Sequence, residues 1–498
     1  MPYISTRGDH NAVNAKTAIK RGTAPDGGLY VDPNISQHQL FAPMMAATSY
    51  QAMARIVLAA LLPDYTADEL SAAVSAAYSN TFDDPAITPV RDVDDLHILE
   101  LFHGPTSAFK DIGLQLLPHI MAQALNPHED VLVLAATSGD TGKAALAGFQ
   151  DVPHTRITTF YPDGGVSPIQ ERQMLTAGGL NTTVAAIQGN FDDAQTAVKQ
   201  ILNDRQLAAT LRQSDSSVTA ANSINVGRLI PQVVYYFAAY RQLVERDVIR
   251  AGELINFTVP TGNFGDVLAG YYAKMMGLPV AKFVVATNAN SVVADFLQTG
   301  RYDRNRPFLK TVAPSMDIQV SSNLERLLYY KSGGDTDLVT RLMANLDRDG
   351  AYTVSPELLA SLQNDFVAAS ADDEAVEDAI RDAYQQHGYL MDPHTAAGYA
   401  AQQSLAGNLS GVTVLLSTAS PYKFPRAVAA AVAPELHGDD FDLMRQLAAK
   451  TGVPNPNNLG HLDRLPARVP VRLTPDAMPA FVEQQALQNK HQSQEVGL

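Results

Sequence analysis

The chain has 498 residues, 46% of them hydrophobic and 18% charged, proportions ordinary for a soluble globular protein of more than one domain. Its formal net charge of −16 argues against nucleic acid or an anionic membrane as partner, though a local basic pocket for a phosphate remains compatible with it. Cysteine is absent, which excludes disulfides, thiolate nucleophiles and zinc–thiolate sites.

No apolar run approaches the roughly 18 residues a membrane span needs. Residues 1–7 lack a signal-peptide apolar stretch, so a cytoplasmic location is expected. Residues 1–96 read as a mostly helical leader. Within it Asp26-Gly27-Gly28 is a turn feeding a short strand, Leu29-Tyr30-Val31, and residues 50–62 and 68–78 have helical apolar spacing. Pro85 and Pro89 mark a connector. From there the pattern is strand, loop, helix, with apolar strand runs at 97–102, 131–136, 157–161, 182–187, 254–260, 282–287 and 412–417. Such alternation predicts an α/β fold with parallel sheets covered on both faces and ligands at the carboxyl ends of the strands. Residues 334–386 are acidic and helix-patterned and read as a helical insertion on the surface; residues 484–498 are polar and expected to fray.

Three strand ends carry loops rich in glycine, serine and threonine. The run His103-Gly104-Pro105 is a strand-to-turn signal, with Thr106 or Ser107 as candidate N-cap for the helix that follows. This puts Lys110 in a first helical turn, where the helix dipole disfavours a cation and eases loss of the proton. With Phe109, Ile112 and Leu116 around it, Lys110 suits a neutral amine nucleophile or Schiff-base lysine rather than a solvated surface lysine. Gly262-Asn263-Phe264-Gly265 follows a strand and opens a helix, as a phosphate cradle or a plain capped turn would. Ser138-Gly139-Asp140-Thr141-Gly142-Lys143 is not a nucleotide P-loop, because only two residues separate its glycines and alanine follows the lysine; it offers N–H groups and hydroxyls to a carboxylate or phosphate, or simply caps its helix. His103 and His394 stand in loops near strand ends, but neither has a partner at zinc-ligand spacing, so no metal is expected.

In this order the segments resemble the threonine synthases, pyridoxal-phosphate enzymes of fold type II, in their longer subfamily. The resemblance runs nearly end to end, through Ile4-Ser5-Thr6-Arg7-Gly8, Pro25-Asp26-Gly27-Gly28, Phe109-Lys110-Asp111, Thr137-Ser138-Gly139-Asp140-Thr141-Gly142, Asn222-Ser223-Ile224-Asn225, Gly262-Asn263-Phe264-Gly265-Asp266, Pro314-Ser315-Met316-Asp317, Asp392-Pro393-His394-Thr395 and Leu416-Ser417-Thr418-Ala419. It implies a tryptophan synthase β-like fold: two three-layer αβα domains with parallel-rich sheets behind an N-terminal domain of residues 1–96. The smaller domain, about 130–235, is nested in a catalytic region of 97–498.

The resemblance also implies roles. Lys110 would form the Schiff base with pyridoxal 5′-phosphate, Gly262, Asn263, Phe264, Gly265 and Asp266 would surround the cofactor phosphate, and Thr418 would face its pyridine nitrogen. Thr137, Ser138, Gly139, Asp140 and Thr141 match the loop that receives the substrate carboxylate; that loop commonly carries asparagine at Asp140, whose contact is left open. Lys143, Asn222, Ser223 and Arg228 are candidates for the substrate phosphate, Lys143 first. Ser420 and Gly227 also depart from the common pattern, at histidine and alanine positions. The implied reaction converts O-phospho-L-homoserine and water to L-threonine and phosphate, by a monomer or homodimer with a small-molecule partner only. The rival reading is another fold type II enzyme such as a serine or threonine dehydratase.

Overall fold

The computed structural model describes residues 2–9, 11–137, 139–189 and 191–487. Two large sheets organise the chain. The larger has six strands, in spatial order Phe366–Ser370, Val280–Thr287, Ile255–Pro260, Thr413–Ser417, Leu96–Glu100 and Val90–Val93. All pair in parallel except Val90–Val93, which runs antiparallel to Leu96–Glu100 at the edge. The smaller sheet has five parallel strands, in order Val471–Leu473, Thr182–Ile187, Thr155–Pro162, Asp130–Ala136 and Ser216–Ala220.

Alternation along each strand builds the layers. In Asp130–Ala136, Val131, Val133 and Ala135 face one side with Ala144, Ala145 and Phe149 of the helix Asp140–Phe149. Leu132, Leu134 and Ala136 face the other, with Ala194, Val198 and Ile201 of Phe191–Asn203 and with Val482 of Met478–Leu487. The larger sheet divides likewise: Val414 and Leu416 join one cluster, Leu415 and Ile98 another. This is the expected parallel-rich, three-layer arrangement. The smaller unit, however, is completed from the chain's far end: Val471–Leu473 pairs with Thr182–Ile187, and Arg156 donates to the carbonyl of Ala486 at 2.8 Å. Residues 488–498, part of the tail expected to fray, lie outside the described residues.

The segment 334–386 is not a purely helical insertion. It contributes the helices Thr336–Asp349, Pro356–Gln363 and Asp373–His387, but between the last two runs Phe366–Ser370, the edge strand of the larger sheet, in parallel register with Val280–Thr287. The leader folds into Ala15–Arg21, Phe41–Ala46, Tyr50–Leu61 and Ala67–Tyr78, the last opened by a Thr66/Glu69 capping box. It packs on the helix Lys110–Ala124: Tyr78 Oη donates to the Ile112 carbonyl at 2.7 Å and Tyr65 Oη to the Ile120 carbonyl at 2.8 Å. Ile112, Leu116 and Ile120 are fully buried beneath it, so the leader holds the base of the helix that starts at Lys110.

Candidate active site

The carboxyl ends of Asp130–Ala136, Ile255–Pro260 and Thr413–Ser417 meet around one open-sided cavity. Lys110, Thr137, Asp140, Thr141, Asn222 and Ser223 line it, as do Arg228, Gly262 to Asp266, and Thr418. Most of the residues singled out in the sequence are therefore brought together. Gly139 and Lys143 do not line the cavity, and Ser138 lies outside the described residues. Lys143 stands with Asp111, Lys423 and Arg468 as its charged neighbours, and burial brings its amine down to about 8. Its sequence position at the loop's entry to the helix does not carry it to the cavity.

Lys110 is the first residue of its helix. The cap position belongs to Phe109, in helical conformation and without a side-chain cap; Thr106 and Ser107 do other work. Thr106 Oγ1 donates to Asp111 at 2.6 Å and Ser107 bends the chain at φ +58°. The loop is fastened to the end of Thr413–Ser417: Phe109 N–H donates to the Thr418 carbonyl at 2.8 Å and Ser420 N–H to the Ser107 carbonyl at 3.1 Å. Burial lowers the Lys110 amine to about 8; Arg228 and Lys423 push the same way and Asp140 opposes them.

The glycine loop holds its shape by contact. A Cβ on Gly262 would sit 2.7 Å from the Ser315 carbonyl oxygen. The left-handed residue is not a glycine but Phe264, at φ +61°, a costly conformation for a bulky side chain. Its ring is buried, 5.9 Å from that of Phe366, and this packing offsets the backbone cost. The turn aims the N-terminus of the helix Gly265–Met275 at the cavity, an arrangement suited to an anion. Behind it Asp266 Oδ1 accepts from Tyr235 and Tyr236, at 2.8 Å for Tyr236; burial raises its carboxyl to about 6.

On the other wall, Thr137 Oγ1 accepts from the N–H groups of Gly139 and Gly142 at 2.9 and 3.0 Å, and Gly139 turns at φ +140° where a Cβ would strike Gln170. Asn222 is strapped to the strand end, donating to the Ala136 carbonyl at 2.9 Å. Arg228 is 4% exposed and, among the described residues, bonds only neutral oxygens, the Ala221 carbonyl at 3.0 Å and Thr141 Oγ1 at 3.4 Å. Its Nε has no hydrogen-bond partner among the described residues, and burial lowers the guanidinium to about 10. A buried cation without a carboxylate is costly unless an anion completes it.

Asp140, the departure from asparagine, is an ion-pair partner. Its Oδ1 lies 2.7 Å from Nζ of the fully buried Lys423 and accepts from Gln170 at 2.9 Å. Its carboxyl is held far below the usual range against the opposing pull of burial, with Lys423 the largest cause and Lys110 next. Ser315 and His394 also line the cavity: His394 Nε2 accepts from the Ser315 N–H at 3.0 Å, so Nδ1 carries the proton and donates to Asp392 at 2.7 Å. Of the other departures, Ser420 accepts from the Tyr422 N–H, and a Cβ on Gly227 would press Leu117 at 2.9 Å. His103 lies elsewhere, paired with Glu100 and Asp83.

A buried amine at one helix N-terminus, an anion cradle at another and an uncompensated guanidinium fit pyridoxal phosphate together with an anionic substrate. The comparisons agree. Residues 85–344 match the family described as pyridoxal-phosphate dependent enzyme, residues 2–78 the threonine synthase N terminus and residues 395–471 the threonine synthase C-terminal region. The fold is that of a pyridoxal-phosphate-dependent enzyme of fold type II. Threonine synthase from Pseudomonas aeruginosa is 38% identical over 91% of this chain and 96% of its own length. The crystal structure of pyridoxal-phosphate-bound threonine synthase from Brucella melitensis superposes with a TM-score of 0.84 at 36% identity, covering 98% of this chain and 99% of that one. Human threonine synthase-like 1 is 39% identical over 82% of this chain, which spans 57% of that relative's length. The chain belongs to the threonine synthase family.

Proposed function

We propose that the chain converts O-phospho-L-homoserine and water to L-threonine and phosphate. The observation that carries this reading is Arg228: a buried guanidinium with no anionic hydrogen-bond partner among the described residues, in the same cavity as Lys110 and the Gly265 helix terminus, gives the site two anion-binding poles. One suits the cofactor phosphate, the other the phosphate of the substrate. Gly262, Asn263, Phe264 and Gly265 would hold the cofactor phosphate, Asp266 braces that loop through Tyr235 and Tyr236, and Thr418 would offer the pyridine nitrogen a neutral hydroxyl. Bound pyridoxal phosphate supplies an electron sink for the substrate carbons. Lys110 would anchor the cofactor, and its amine, lowered to about 8, could both take and give protons at the substrate carbons at neutral pH. The loop from Thr137 to Thr141 receives the substrate carboxylate, and Asn222, Ser223 and Arg228 receive its phosphate. The partner is this small molecule alone, the compartment the cytoplasm, and the active form a monomer or homodimer.

The test is product release from O-phospho-L-homoserine by the cofactor-loaded protein. Threonine and phosphate in equal amounts support the reading. Deamination of serine or threonine, with no phosphate released from the phosphorylated substrate, assigns a dehydratase instead.

A further inference from the structure

Asp140 has two oxygens in different settings. Oδ1 is clamped by Lys423 Nζ at 2.7 Å and by Gln170 Nε2 at 2.9 Å. Lys423 is itself held by the Thr106 carbonyl at 2.9 Å and is fully buried. Oδ2 faces the reactive amine: it lies 4.0 Å from Lys110 Nζ and accepts from Ser315 Oγ at 3.4 Å, while Ser315 Oγ accepts from Lys110 Nζ at 3.4 Å. The serine hydroxyl thus bridges amine and carboxylate. Its backbone is fixed by His394, and its carbonyl oxygen lies 2.7 Å from where a Cβ on Gly262 would fall.

We propose that Asp140 is a positioning residue, a carboxylate locked by Lys423 and Gln170 so that its second oxygen, with Ser315 between, serves as the fixed counter-charge of the Lys110 amine. Lys423 sets the strength of that counter-charge: it keeps the carboxylate ionised, shares it and adds its own repulsion. The proton on Lys110 is therefore held by a balance between Asp140 on one side and Arg228 and Lys423 on the other. His394 and Asp266 line the same cavity, and Lys143 has Asp111, Lys423 and Arg468 as its charged neighbours. Asparagine at position 140 could hydrogen-bond but could not supply this charge.

The inference takes Lys110 as the reactive amine, as the proposed reaction does. The experiment reads that amine without substrate, so the two can fail separately. The full chain, freed of cofactor, is exposed to an amine-modifying reagent across a pH series, and modification of Lys110 is followed by peptide mass spectrometry. Asp140→Asn moves the Lys110 midpoint to lower pH by about one unit or more. Ser315→Ala moves it the same way by less. Lys423→Met moves it to higher pH. The double variant Asp140→Asn with Lys423→Met, which removes both members of that buried pair together, falls between wild type and Asp140→Asn and guards against a single variant that does not fold. Midpoints unchanged in Ser315→Ala and in the double variant, with only thermal stability affected, would reduce the Asp140–Lys423 pair to a structural staple and overturn the proposal. A shift of Lys423→Met to lower pH would overturn it equally.

Discussion

The N–H of Phe109 donates to the carbonyl of Thr418 at 2.8 Å, which ties the residue before the candidate Schiff-base lysine to the residue assigned to the pyridine nitrogen. The isolated bridge between Ala108 and Ala419 continues the contact. Two ends of the cofactor site are thus one piece of backbone. Because the link uses main-chain atoms, the Thr418 hydroxyl can be changed without cutting it. Thr418→Asp places a carboxylate opposite the pyridine nitrogen, favours its protonated form and strengthens the electron sink. Racemised and transaminated products should rise in that variant, measured by chiral chromatography and by recovery of the amine form of the cofactor. No rise above wild type contradicts the role given to Thr418.

Gly262 should admit no side chain. Its Cβ would meet the Ser315 carbonyl at 2.7 Å, a backbone atom with no freedom to swing aside. Gly262→Ala is expected to weaken cofactor binding about tenfold or more, the loss of roughly 1.4 kcal/mol, while the fold persists. Titration of the cofactor-free protein with pyridoxal phosphate, followed by visible absorbance, measures it.

Arg228 carries a prediction of opposite signs. A buried cation without a carboxylate costs stability, so Arg228→Met should leave the cofactor-free protein as stable as wild type or more so. The same change should raise KM for O-phospho-L-homoserine by about a hundredfold, a loss of some 3 kcal/mol typical of a charged hydrogen-bond partner. Thermal melts and steady-state kinetics report the two effects; a destabilised variant with unchanged KM would assign Arg228 a packing role.

Asp266 predicts a pH dependence. Burial raises its carboxyl to about 6, above the unfolded value near 4. The folded state therefore holds the extra proton in that window, and this contribution to stability is full below about pH 4 and lost as pH rises through 6. Asp111 and Asp317, also raised to about 6 by burial, act in the same sense. Asp266→Asn should remove its own part, a gain relative to wild type on the order of 1 kcal/mol at pH 7.5 compared with pH 5. Unfolding of both proteins at the two pH values checks it.

What the sequence made legible was local. Lys110 and the Gly262 to Asp266 loop could be read because strand end, glycine and helix start are contiguous in the chain. What could not be read was assembled from afar. Ser315 and Asp140 are 175 residues apart, and Lys423 reaches Asp140 from the short 3-10 turn Pro421–Lys423, too brief to carry a pattern of its own. A buried ion pair leaves no periodicity, so neither Ser315, Lys423 nor Gln170 could be given a role. Lys143 is suggested by its neighbours in the chain, whereas its absence from the cavity lining is a matter of which way the helix faces. Phe366-Val367-Ala368-Ala369-Ser370 was hidden for another reason: an edge strand with three small residues carries little β signal. Nor could sequence foretell that the left-handed turn falls on Phe264 between two glycines, since its burial beside Phe366 is a matter of tertiary packing.

The most direct test of the account is the stoichiometry of products from O-phospho-L-homoserine, with cofactor-loaded wild type beside Lys110→Ala. Equal release of threonine and phosphate by wild type, and neither by the variant, is the predicted result. Phosphate without threonine, or undiminished turnover in Lys110→Ala, would contradict it.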